Sequence, residues 1–173
     1  MNTRLILYIV IISGCGYIGM AIAGRIDKRI SQIKALEAIL TQLGFQLGFL
    51  AVPFKEALSK AAVCQRGAVR ELMEKTVEIL SNNPEYSAGE AFEGALRECE
   101  EFLYISQAEK EIMREFMVQT GRVDIQRTMD GIKVTSAKLK LAREENEARK
   151  NHDGKMYKGL GFLAGIFIVV LLL

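Results

Sequence analysis

Two uncharged apolar runs, one near each end of the chain, limit its folding more than anything between them. Leu5 to Ala23 reads LILYIVIISGCGYIGMAIA, nineteen residues without a charge, and Gly159 to Leu173 reads GLGFLAGIFIVVLLL, fifteen more. As helices they extend about 28 Å and about 22 Å at 1.5 Å per residue. A bilayer core is about 30 Å thick, so the first run matches it. The second matches when its helix is counted from Met156, which gives roughly 27 Å, with Lys158 reaching back to the headgroups. A helix in a soluble core keeps a polar face, and the second run has none. Residues 1–23 and 156–173 are therefore expected to be transmembrane helices.

The flanking charges give the expected sidedness. Arg25, Lys28, Arg29 and Lys34 follow the first run and Lys155 and Lys158 precede the second, whereas only Arg4 precedes the first. Basic flanks stay on the cytoplasmic side, which puts residues 24–155 inside and both termini outside, in a cell membrane. A competing reading is a secreted helical protein with a cleaved leader, because Ala21-Ile22-Ala23 resembles a cleavage site. The apolar run is longer than a leader's, and its charge bias is reversed. Cys15, Gly19 and Ala23 at four-residue intervals, and Gly161 with Gly165, form small-residue faces on which the two spans could pair.

Half the chain is hydrophobic and a quarter charged, with the charge concentrated between the runs. Only Pro53 and Pro84 interrupt that middle as prolines, and no alternating strand pattern occurs. Apolar residues at Ile26, Ile30, Ile33, Leu36, Leu40, Leu43, Leu47 and Leu50 follow helical spacing, which predicts a helix continuing from the first span to Pro53. A short helix from about Pro53 to Val63 follows, then one over Ala68–Ser81 with Leu72, Val77 and Leu80. Ser87 with Glu90 and Ser106 with Glu109 have capping-box spacing, and each predicts a helix start. The first of these helices would bury Ala91, Phe92, Ala95 and Leu96, and the second Ile112, Phe116 and Met117. Gly121 suits a helix end and Asp124 a cap. The last helix carries Ile125, Met129, Ile132, Leu139 and Leu141, and its stretch from Arg143 to Lys155 reads as polar all round, which suggests loose packing or a bridge through solvent. The expected fold is all-α: an antiparallel six-helix cytoplasmic bundle over residues 24–155, tethered by N- and C-terminal transmembrane helices.

A net charge of +2 does not indicate a general nucleic-acid binder. The charge is nevertheless uneven. Glu71 to Glu115 holds twelve acidic and four basic residues, and Arg122 to Lys158 holds ten basic and six acidic. The simpler reading is solvated faces that balance one another within the bundle. The alternative is a partner surface, for which Glu98, Glu100 and Glu101 beside Phe102 and Tyr104 are the candidates.

Chemistry is poorly supplied. His152 is the only histidine, and Cys15, Cys64 and Cys99 have no metal-ligand spacing. No glycine-rich phosphate loop occurs, and no carboxylate pair stands out for acid–base work. No catalytic, metal or cofactor site is expected, although a membrane enzyme with an interhelical site is the rival that a convergence of titratable groups would support.

The TGRVD turn before the last long helix, the run KMYKGLGFLAG (Lys155 to Gly165) leading into an apolar end, and the two-span layout resemble the stage III sporulation protein AB family of endospore-forming bacteria, over essentially the whole chain. The resemblance implies a part in the channel complex between mother cell and forespore, in the mother-cell membrane around the forespore. It implies a soluble domain similar to the helical domains of type II secretion F-family platform proteins. It also implies contact with a cytoplasmic secretion-type ATPase, stage III sporulation protein AA, and with other channel-complex proteins. Platform proteins of that kind carry two such domains and more spans, so self-association is a further implication. The resemblance carries over no catalytic residues.

Overall fold

The structure, a computed structural model, describes residues 24–120 and 125–150 in full and the helical backbone at 2–23 and 151–171. Six α-helices follow one another: α1 (Asn2–Gly48), α2 (Phe54–Val63), α3 (Ala68–Asn82), α4 (Ala88–Glu98), α5 (Gln107–Thr120) and α6 (Ile125–Leu171). A single 3₁₀ turn, Glu100–Phe102, lies between α4 and α5, and no strand occurs among the described residues. The chain divides into two compact units, Met1–Lys28 with Glu145–Leu173, and Arg29–Glu144.

Within Arg29–Glu144, α1 supplies the inner wall of the bundle. Ile33, Leu36, Ile39, Leu40 and Leu43 are all fully buried. They recur at three- and four-residue steps, so one face of the helix is apolar for its whole length in this unit. Leu58, Leu72, Met73, Phe92, Met113, Met117 and Leu139 close over that face from the other helices. Each such side chain contributes about 1.5–3 kcal/mol by leaving water, so the packing of α1 holds the unit together. Leu50 departs from the expectation. Helix α1 ends at Gly48, two residues before Leu50, which is half exposed. Ala51 then takes a left-handed backbone, φ 48°, which turns the chain toward α2.

The helix starts follow local chemistry. Pro53 is the residue before α2 rather than within it, and its carbonyl accepts the Ala57 N–H at 2.9 Å. Gly67 opens α3 at φ 70°, a conformation that costs glycine nothing. Ser87 forms the full capping box with Glu90: the Ser87 hydroxyl accepts the Glu90 N–H and the Glu90 carboxylate accepts the Ser87 N–H at 2.7 Å. Helix α6 does not present Ile125 and Leu141 inward as its apolar count suggests; both are more than half exposed, while Ile132 and Leu139 are buried. The polar stretch from Arg143 is not loosely packed throughout either. Arg143 Nε donates to both carboxylate oxygens of Glu37, at 3.0 and 3.2 Å. In the other unit Asn146 is buried and Lys150 pairs with Asp27 at 2.6 Å.

Among the described residues no helix is long and apolar enough to cross a membrane. The two segments expected to do so, 1–23 and 156–173, lie outside the residues described in full, as do Cys15, Gly19, Ala23, Gly161 and Gly165. Gly121 and Asp124, expected to close α5 and to cap α6, lie outside them too.

Helices α4 and α5 meet at Gly89. A Cβ placed there would lie 2.5 Å from Val118 Cγ2 and 3.2 Å from Val118 Cα, so the close approach depends on the missing side chain. Gly89→Ala should destabilise the protein by about 1–3 kcal/mol, although alanine is the better helix former by about 1 kcal/mol. Adding Val118→Ala should recover part of that loss. Chemical denaturation of the single and double variants measures both, and a stabilised Gly89→Ala protein would contradict the packing described.

Candidate functional site

The segment expected to form a partner surface, Glu98 to Tyr104, is not one helix face. Helix α4 ends at Glu98, the 3₁₀ turn carries Glu100 to Phe102, Leu103 is extended, and residues 103–106 belong to no helix. Burial alternates along this segment. Ile105 is buried in the core and Leu103 packs against it, while Phe102 and Tyr104 stay exposed, at 56% and 36%. Two of the three carboxylates are engaged within the bundle. Glu98 accepts Lys75 at 3.0 Å and Glu100 accepts Lys110 at 3.4 Å. Glu101 is exposed beside them. The loop therefore presents two aromatic rings and a carboxylate rather than three free acids.

Polar side chains from distant positions fix this loop, and sequence reasoning did not find them. Gln32, on α1, donates from Nε2 to the Phe102 carbonyl at 2.8 Å. Its Oε1 accepts the N–H groups of Tyr104, at 2.6 Å, and Ile105, at 3.2 Å. One turn earlier on α1, Arg29 Nη2 donates to Glu109 Oε1 at 2.6 Å. The other Glu109 oxygen accepts the Ser106 N–H and the Ser106 hydroxyl. The predicted capping residue Glu109 thus does two things: it caps α5 and it ties α5 to α1. The only sequence trace of this is two polar residues, Arg29 and Gln32, three apart at the edge of an apolar stripe.

Glu109 is 1% exposed. Burial pushes its carboxyl up, but the Ser106 and Arg29 hydrogen bonds outweigh that and hold it below its ordinary value of 4.5. Lys75 is raised by its hydrogen bonds to Glu98 and Glu78. Burial, reinforced by Glu71 and Glu98, pushes the Cys99 thiol up, so it stays protonated and unreactive. Cys64 is an exposed free thiol whose Sγ donates to the Lys60 carbonyl.

The clefts among the described residues are shallow. One of about 150 Å³ between α4 and α5 is lined by Glu93, Arg97, Lys110 and Arg114; Glu93 pairs with both arginines and Lys110 with Glu100. Two of about 270 Å³ lie along α5 and α6 around Phe116, Gln119 and Gly131. All are smaller than ordinary small-molecule sites, which run from about 300 to 1,000 Å³. Among the described residues no group of three His, Cys, Asp or Glu side chains is placed to hold a metal ion.

The family model for stage III sporulation protein AB matches residues 4–173 of the chain. Stage III sporulation protein AB of Bacillus subtilis (strain 168) is 25% identical over 170 residues, covering 98% of this chain and 99% of the relative. A solved structure of stage III sporulation protein AB superposes with a TM-score of 0.66 at 22% identity, covering 72% of this chain and 98% of that one, which establishes a shared fold.

Because its carboxyl is held low when folded, Glu109 takes up a proton first in the unfolded state. Its contribution to stability is complete above about pH 5 and is lost as pH falls through the folded value. Glu109→Gln should cost about 1–3 kcal/mol at pH 7 and flatten the acid limb of the stability profile. Thermal midpoints from pH 3 to pH 8 measure both, and an unchanged acid limb would contradict the assignment.

Proposed function

The chain belongs to the stage III sporulation protein AB family, and from that premise we propose that it is a non-enzymatic platform in a sporulation channel complex. In this reading the two apolar ends, residues 1–23 and 156–173, span the mother-cell membrane around the forespore, and the helical bundle faces the cytoplasm. Their length, their lack of charge and the basic residues flanking them support it. Pairing of the spans through Cys15, Gly19 and Ala23 against Gly161 and Gly165 belongs to the same proposal.

The observation that carries the reading is the loop after α4. A bundle whose clefts are small and whose charges are mostly paired internally still leaves Phe102 and Tyr104 exposed beside Glu101. Exposed aromatic side chains with an adjacent charge are what a protein-docking anchor requires. The partner proposed is the complex's cytoplasmic ATPase, stage III sporulation protein AA, with Glu98, Glu100, Glu101, Phe102 and Tyr104 as the contact. A bundle of this kind would pass conformational change from the ATPase to other membrane components, and self-association would widen the platform. The role requires no cofactor.

Purified full-length chain in detergent, titrated with the ATPase, tests this. Reversing Glu98, Glu100 and Glu101 to lysine, or Phe102→Ala, should weaken binding at least tenfold, about 1.4 kcal/mol. The internal pairs broken by the reversal are exposed and worth little, so the bundle should remain folded. Undiminished binding by both variants would remove the loop from the contact.

A further inference from the structure

The backbone between α4 and α5 has polar groups that neither helix nor strand can satisfy. At the part-buried Ile105 such a group needs a partner, and at the exposed Phe102 and Tyr104 a side-chain partner takes the place of water. The Phe102 carbonyl and the Tyr104 and Ile105 N–H groups all find theirs on one side chain, the Gln32 carboxamide of α1, seventy or more residues away. A primary amide is suited to this, since its oxygen accepts two N–H groups while its nitrogen donates. Three residues earlier on the same face of α1, Arg29 holds Glu109, which in turn holds Ser106 at the loop's far end. Both ends of the segment between the 3₁₀ turn and α5 are therefore fastened to α1. Its inward side chain, Ile105, is fastened to the core.

We infer that Gln32, assisted by Arg29, is the positioning residue of the docking loop, and that it couples the axial position of α1 to the presentation of Phe102 and Tyr104. The inference rests on the reading of this loop as the partner-facing surface. Phe102 closes the single 3₁₀ turn and Tyr104 lies in no helix, so no α-helix orients either ring. The direction of the two rings follows from the backbone between them, and that backbone is set by the three bonds to Gln32. An axial slide of α1 by half a helical turn, about 2.7 Å, breaks all three, because contacts beyond about 3.5 Å no longer hold. The device works in both directions. A partner that shifts the loop pulls on α1, and a displacement of α1 within the bundle withdraws or advances the rings.

Amide hydrogen exchange of the full chain in detergent, without any partner, tests the clamp. Gln32→Leu keeps the volume and removes the polar atoms. The Tyr104 and Ile105 amides should then exchange at least tenfold faster than in the wild type, with amides in the middle of α3 and α4 within twofold of it. Gln32→Glu keeps the acceptor oxygen, so the same two amides should stay within threefold of the wild type. Wild-type exchange at Tyr104 and Ile105 in Gln32→Leu, a uniform rise through all helices, or loss of protection in Gln32→Glu would each overturn the inference. These outcomes are separate from the ATPase titration: a clamp that holds while the ATPase fails to bind removes the docking reading and leaves the clamp standing.

Discussion

The unbroken apolar face of α1 is the constraint on which the rest of the bundle depends. Five of its side chains from Ile33 to Leu43 are wholly withdrawn from water, and every other helix of the Arg29–Glu144 unit has a residue in the same core. Once that face is covered, the edges of α1 come within reach of distant segments. Glu37 meets Arg143, Gln32 meets the loop after α4, and Arg29 meets Glu109. These polar contacts lie beside the apolar stripe rather than within it. There they satisfy backbone and carboxylate groups that packing would otherwise strand without water. The hydrophobic face thus sets where α1 lies, and the polar edge sets what the neighbouring loop can do.

Charge plays a smaller part than its distribution along the chain suggests. The acidic block between Glu71 and Glu115 is spent largely inside the unit: on Lys75 by Glu78 and Glu98, on Arg114 by Glu93 and Glu111, and on Lys138 by Glu115. Most of these pairs are exposed and worth under about 1 kcal/mol each. Their effect is to neutralise the surface, so the 98–104 segment presents the exposed rings of Phe102 and Tyr104 more than acidity. The balanced-surface reading accounts for the ion pairs of Glu98 and Glu100, and the docking reading takes those two together with Glu101, Phe102 and Tyr104.

How much of this was legible in the sequence depended on the range of each interaction. The α-helical class, the breaks at Pro53 and Pro84, and the Ser87 box all rest on residues within four positions of one another, and they were read correctly. Side-chain facing was legible in the middle of the helices; it failed at Leu141, which breaks the helical period, and at Leu50 and Ile125, which keep it but lie beyond or at a helix end. Leu141 follows the buried Leu139 by two residues, about 200° around the helix, so it faces outward. Leu50 was counted on a face that ends at Gly48. The Gln32 clamp and the Arg29–Glu109 pair join positions seventy to eighty residues apart. Glutamine on a helix edge looks the same in sequence whether it meets solvent or a loop. Ser106 and Glu109 were recognisable as a cap, but nothing local marked Glu109 as the anchor to α1.

The central claim is that a membrane-held bundle presents this loop on the cytoplasmic side, and Cys64 reports that sidedness directly. It is exposed, whereas Cys99 is buried. In right-side-out and inside-out vesicles from bacteria expressing the full chain, a membrane-impermeant maleimide should label Cys64 only in the inside-out preparation. A Cys64→Ser chain supplies the background, and the protein should stay in the membrane after an alkaline carbonate wash. Labelling of Cys64 in right-side-out vesicles, or release of the full chain by the wash, would contradict the account.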